Sequence, residues 1–160
     1  MDVNKPNKVT RTYTQKLLAE PSRVFPLLCP VREAEWLERW KPIIVRSQSG
    51  FAEVGCVITT PASPHNAIWY VTRHEPKDFF VEMIKISPAV TACELSIQLS
   101  GTPDGCEAIV TYTHLSLGLE GDLFVADFTE EFYRAFMQDW EKRLNFFLRT
   151  GTMFISGDRE

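Results

Sequence analysis

Tyr112 and His114, set two apart near the end of an apolar-polar alternating run, are the pair in this chain best placed to do chemistry. A period of two puts both side chains on one face of a strand. Turned into an apolar pocket, a phenol and an imidazole would orient a ligand hydroxyl or carbonyl, and the imidazole would exchange a proton near neutral pH. The set Ile109, Thr111, Thr113 and Leu115 competes for the same inward face. If that set points inward, threonines line the interior and His114 lies on the surface. The parity of this segment therefore stays open between two readings.

Other candidates are weaker. His65 sits among prolines in a loop, and His74 closes a strand beside Glu75, so solvated roles are expected for both. No two histidines lie at His-x-x-x-His spacing, and Cys29, Cys56, Cys93 and Cys106 form no Cys-x-x-Cys pair. Neither a metal site nor a cofactor is expected, and the four cysteines read as buried, reduced thiols. Glu33 and Glu35 resemble a carboxylate pair, but residues two apart on a helix diverge, and stabilisation of a helix start accounts for them. Glu53 reads as a solvated group near a turn. Trp36, Trp40 and Trp69 suit a core or the wall of a pocket. The sequence holds no Gly-x-Ser-x-Gly elbow and no phosphate-binding glycine loop, so no catalytic motif is recognisable.

Strands must position these residues. Alternation and turn signals predict strands over 9–18, 43–47, 54–60, 67–75, 79–87, 90–100 and 106–117, with short connections that imply antiparallel neighbours. On the first, Thr10, Thr12 and Thr14 oppose Val9, Tyr13 and Leu17. Further along, Trp69, Val71 and Arg73 share a face, as do Phe79, Val81, Met83 and Lys85, and then Cys93, Leu95, Ile97 and Leu99. The last set is apolar throughout and should face the core. Pro21 and Pro30 open two short helices after the first strand: one through Val24, Phe25, Leu27 and Leu28 and shortened by Pro26, the other over 31–39 and stopped by Pro42. The chain ends in one long predicted helix over 122–150, about 43 Å in length. Asp122 is its expected N-cap. Phe124, Phe128, Phe132, Phe136, Trp140, Leu144 and Phe147 stripe one side of it, and Gly151 is its stop.

With 160 residues, 44% hydrophobic and 24% charged, the chain suits a single folded domain over 8–151, with flexible tails at 1–7 and 152–160. A net charge of −4 and the absence of a basic patch disfavour nucleic acid as a partner. No run of 18 apolar residues is present, so stable membrane insertion is not expected. The opening residues, Met1 to Lys8, have no apolar core of the kind a secretory signal needs, so the expected location is cytoplasmic.

The order strand, two short helices, six strands, long helix resembles the helix-grip fold of the START-like, or SRPBCC, superfamily. The stretches that carry the resemblance run from Cys29-Pro30-Val31 to Trp40, from Ser49-Gly50-Phe51 to Cys56, and from Thr111-Tyr112-Thr113-His114 to Leu117. They are similar to a bacterial SRPBCC group related to polyketide cyclases and lipid-transport proteins. The resemblance implies an α+β fold in which a seven-stranded antiparallel curved sheet wraps around the long helix. It also implies a cavity for a hydrophobic or amphipathic small molecule, such as a lipid or a polycyclic compound. The residues expected to line it are Trp69, Val71, Val81, Met83, Leu95, Ile97, Tyr112, His114, Phe128, Phe132 and Phe136. Two other functions fit the same frame: a cyclase or dehydratase using Tyr112 and His114 as acid–base groups, and a protein-interaction module whose rings fill the interior.

Overall fold

Side chains that alternate between solvent and core generate seven strands in the structure, a computed structural model that describes residues 1–157. These are β1 (Lys8–Leu17), β2 (Ile44–Arg46), β3 (Val57–Thr60), β4 (Ala67–Glu75), β5 (Phe80–Ser87), β6 (Thr91–Thr102) and β7 (Gly105–Ser116). They form one curved antiparallel sheet in the order β1-β7-β6-β5-β4-β3-β2, so the first strand returns beside the last. Helix α1 (Pro21–Val24) and two 3₁₀ turns, Phe25–Leu28 and Arg32–Glu35, follow β1; α2 (Leu119–Asp127) and α3 (Glu130–Thr150) close the chain.

The ring stripe does not ride on one continuous helix. The chain leaves helical geometry at Phe128 (ψ 61°) and at Thr129 (ψ 165°). Thr129 then caps α3, its Oγ1 accepting from the Phe132 N–H at 3.1 Å, and Glu130 and Glu131 follow in the first turn, where the helix dipole favours acids. Asp122 is not a cap either. Gly118 starts α2, and the Asp122 carboxylate accepts from the Asn7 side chain at 2.9 Å. Gly121 is required in α2, because a Cβ there would lie 2.0 Å from the Val90 carbonyl oxygen. Gly151 ends α3 with a left-handed φ of 71°.

The segment expected as a second short helix is mostly irregular. Its regular part shrinks to the 3₁₀ turn, and Arg39, at φ 70°, carries the chain out of helical space. Indole hydrogen bonds hold it instead: Trp36 donates to the Leu27 carbonyl at 2.9 Å and Trp40 to that of Pro30 at 2.6 Å. Glu38 and Arg143 of α3 pair at 3.2 Å, and Ser156 joins them through its hydroxyl and backbone N–H. Of the expected tail 152–160, residues up to 157 run back along this clasp with Phe154 buried, while 158–160 lie outside the described residues.

Helix α3 buries Tyr133, Met137, Trp140, Leu144 and Leu148 against the sheet. Polar ties fix its depth. Tyr133 donates to the Val110 carbonyl, Gln15 Nε2 to that of Met137 at 3.1 Å, and Arg23 to the helix-terminal carbonyl of Leu148 at 2.7 Å. Along the free edge of β1, Glu141 accepts from the Lys16 N–H and Asn145 bonds both the Leu18 N–H and the Lys16 carbonyl.

Alternation reads the inner face correctly for β1, β5 and β6, with one departure in β4. The β4–β5 register jumps between Val71 and Arg73, a bulge that turns Arg73 outward, where its guanidinium lies 4.4 Å from the Phe80 ring. His74 consequently packs against Phe25 at 5.4 Å. No helix among the described residues is long and apolar enough to cross a membrane.

Candidate functional site

Cross-strand register lays the inner face out in rows. Trp69, Lys85, Cys93 and His114 form one row across β4, β5, β6 and β7; Val71, Met83, Leu95 and Tyr112 form the next; Val81, Ile97 and Val110 form a third. The parity of β7 is thereby settled: Tyr112 and His114 face inward, Ile109 is exposed, and the hydroxyls of Thr111 and Thr113 bond Thr12 and Thr10 outside.

The third row is packed solid. Above the first two rows, α2 and α3 stand off from the sheet and leave a cavity of about 320 Å³. The sheet contributes Trp69, Met83, Lys85, Leu95, Tyr112 and His114; the helices and their junction contribute Phe124, Phe128, Phe132, Phe136 and Trp140; Pro30, Glu33, Leu37 and Trp40 cover one side. Phe124, Phe132 and Phe136 keep 38%, 54% and 41% of their surface exposed, which marks the opening. Eight of the eleven residues expected at the cavity border it, whereas Val71, Val81 and Ile97 lie in the packed core.

Sequence reasoning passed over Glu33 and Lys85. Lys85 had the correct parity, since it shares a face with Val81 and Met83, but a charged side chain gives no signal for an apolar cavity. Glu33 was assigned to a helix start. Arg32 instead pairs with Glu35 at 3.0 Å and leaves Glu33 to the cavity.

The polar groups here are unusual in their lack of partners. Among the described residues Lys85 makes no ion pair or hydrogen bond; its Nζ lies 4.8 Å from the Trp69 ring centroid. Burial lowers its pKa. Neither the Tyr112 hydroxyl nor the Glu33 carboxyl has a hydrogen-bond partner among those residues. Burial raises the Tyr112 pKa well above its usual value, with Cys93, Glu33 and Tyr133 adding to it. Glu33 retains some surface, but this surface meets the cavity, and desolvation pushes its pKa up to about 8. A carboxylic acid, able to donate, is thus the prevailing form at neutral pH.

His114 is 4% exposed and lies between Phe124 (4.7 Å) and Phe128 (4.6 Å), ring centre to ring centre. Burial, with Lys85 nearby, lowers its pKa to about 4. Its Nδ1 has no partner, while Nε2 lies 3.8 Å from Cys93 Sγ. Burial also holds the Cys93 thiol up at about 12, so this pair does not supply a thiolate nucleophile near pH 7. Among the described residues no group of three or more His, Cys, Asp or Glu side chains is arranged to hold a metal ion.

No protein-family model and no curated protein matches the chain. Solved structures do resemble it. Norcoclaurine synthase from Thalictrum flavum superposes with a TM-score of 0.63 at 10% identity, over 91% of this chain and 88% of that one. Ara h 8.0201 gives 0.60 at 12% identity, over 90% and 99%. DynU16, a protein of the dynemicin biosynthetic locus, gives 0.57 at 19% identity, over 91% of this chain and 48% of that one. At such identities the likeness is one of fold, and the fold is the helix-grip arrangement of SRPBCC-type proteins.

Proposed function

We propose that the protein binds an apolar or amphipathic small molecule in the cavity between the sheet and the α2–α3 pair. The observation that carries this reading is the hollow of about 320 Å³, walled by aromatic rings and opening beside Phe132 and Phe136. Its volume is at the lower end for small-molecule sites, and its balance of apolar walls with a few convergent polar groups is the usual composition of one. Binding would draw on burial of ligand apolar area, about 25 cal/mol per Å². Relatives of this fold include a norcoclaurine synthase and a protein of a biosynthetic locus, names that belong to small-molecule chemistry.

A catalytic role for Tyr112 and His114 as an acid–base pair draws less support. One titrates near 4 and the other well above its usual value, so both are neutral and neither exchanges a proton readily near pH 7. An interaction module with a filled interior is likewise disfavoured by the hollow. The test is titration with N-phenyl-1-naphthylamine, an uncharged fluorophore. Saturable, one-to-one enhancement of emission is expected, and absence of binding up to its solubility limit would sink the proposal.

A further inference from the structure

The polar atoms facing this cavity at neutral pH are chiefly donors. Lys85 offers ammonium protons, and its position over the Trp69 ring favours the charged form. His114 borders the cavity with its ring: Nε2 lies 3.8 Å from Cys93 Sγ, and Nδ1 is buried without a partner. Tyr112 adds a hydroxyl with no partner among the described residues. The one acid at the cavity, Glu33, forms no ion pair with Lys85 and is held largely protonated by its burial. The other acids on the neighbouring strands face away: Glu94 is exposed, and Glu82 accepts from Thr72 on the outer side. Lys85 is thus a partly desolvated cation with no counter-charge among the described residues, an unmet electrostatic demand at the cavity.

We propose that the ligand is an apolar carboxylic acid whose carboxylate meets the Lys85 ammonium while its hydrocarbon body lies against Phe128, Phe132 and Phe136. This rests on the binding reading above and narrows it to a ligand class. Lys85, Cys93 and His114 lie opposite one another on three adjacent strands. A charge-assisted hydrogen bond is roughly twice as strong as a neutral one, and the apolar rings around it reduce, without abolishing, its screening by water. At about 30 Å³ per water, the hollow holds about ten waters, room for a bicyclic aromatic acid.

The test compares 2-naphthoate with 2-naphthamide, which share size and shape and differ in charge, by calorimetric titration at pH 7. Wild-type protein is expected to bind the acid at least tenfold tighter than the amide. Lys85→Met should bring the ratio to within about twofold, and Lys85→Arg should retain most of it; circular dichroism checks that each variant is folded. Equal binding of acid and amide by the wild type would overturn the proposal even if neither variant folded, as would a folded Lys85→Met that keeps the full preference. If the neutral fluorophore binds but the acid has no advantage, the carboxylate assignment falls and the cavity reading stands. If neither binds, both fall.

Discussion

Replacing Glu33 with glutamine should stabilise the protein at alkaline pH and leave it nearly unchanged at pH 4.5. Burial lifts the Glu33 pKa from 4.5 in the unfolded chain to about 8 in the folded one. Below 4.5 both states hold the proton, and the acid imposes no penalty. Between 4.5 and 8 the unfolded chain has released it and the folded chain has not, so stability falls as pH rises, then levels off above 8. At about 1.36 kcal/mol per pH unit the ceiling on this loss is about 5 kcal/mol. Water entering by the cavity mouth screens the charge, and roughly half that figure, about 2–3 kcal/mol, is expected. Glutamine has nearly the same shape and no titration. The stability gap between Glu33→Gln and wild type should therefore open from near zero at pH 4.5 to about 2–3 kcal/mol at pH 9. His114, with its lowered pKa, gives the opposite slope, stability rising with pH between about 4 and the ordinary imidazole value of 6.5, but it does so in both proteins and cancels in the difference. Urea unfolding followed by tryptophan emission at pH 4.5, 7 and 9 measures the gap. A gap that is constant across this range would refute the claim that Glu33 is held protonated by its surroundings.

Three other outcomes are expected. Thr129→Ala removes the cap of α3 and should cost about 1 kcal/mol, with faster amide exchange at Phe132. Gly121→Ala pushes a methyl group into the Val90 carbonyl and should lower stability by about 1–3 kcal/mol, read from the urea midpoint. Phe132→Ala removes a ring that is 54% exposed, so stability should change by less than about 1 kcal/mol. Its affinity for N-phenyl-1-naphthylamine should nonetheless fall severalfold, since that ring borders the cavity; undiminished affinity would show that the fluorophore binds elsewhere.

Much of the sheet was legible because an inner face that is buried along its length enforces a period of two. Cys93, Leu95, Ile97 and Leu99 carry that signal without interruption, and all four are buried. Arg73 escaped because a bulge inserts a residue without altering the local composition. The break between α2 and α3 escaped for a related reason: Phe124, Phe128 and Phe132 keep a spacing of four straight through it. A cue was nevertheless present, since Thr129 followed by Glu130 and Glu131 has the composition of a helix start. The site was half legible. Its rings could be found by periodicity, whereas the parity of Tyr112 and His114 stayed open in the sequence, and Lys85 and Glu33 have charges that sequence rules place in water. Register alone puts Lys85 in one inward row with Cys93 and His114, and the 3₁₀ turn alone frees Glu33 from its neighbours.

The way α3 lies along β1 bears on how the chain behaves in company. An outermost strand ordinarily presents a ladder of unsatisfied amides and carbonyls that another polypeptide can adopt as a template. Here Glu141 and Asn145 occupy those positions, bonding the backbone at Lys16 and Leu18. The opposite border, β2, is three residues long, too brief to seed lasting pairing. Extension of the sheet is thus opposed at the C-terminal end of β1 and has scant purchase at β2.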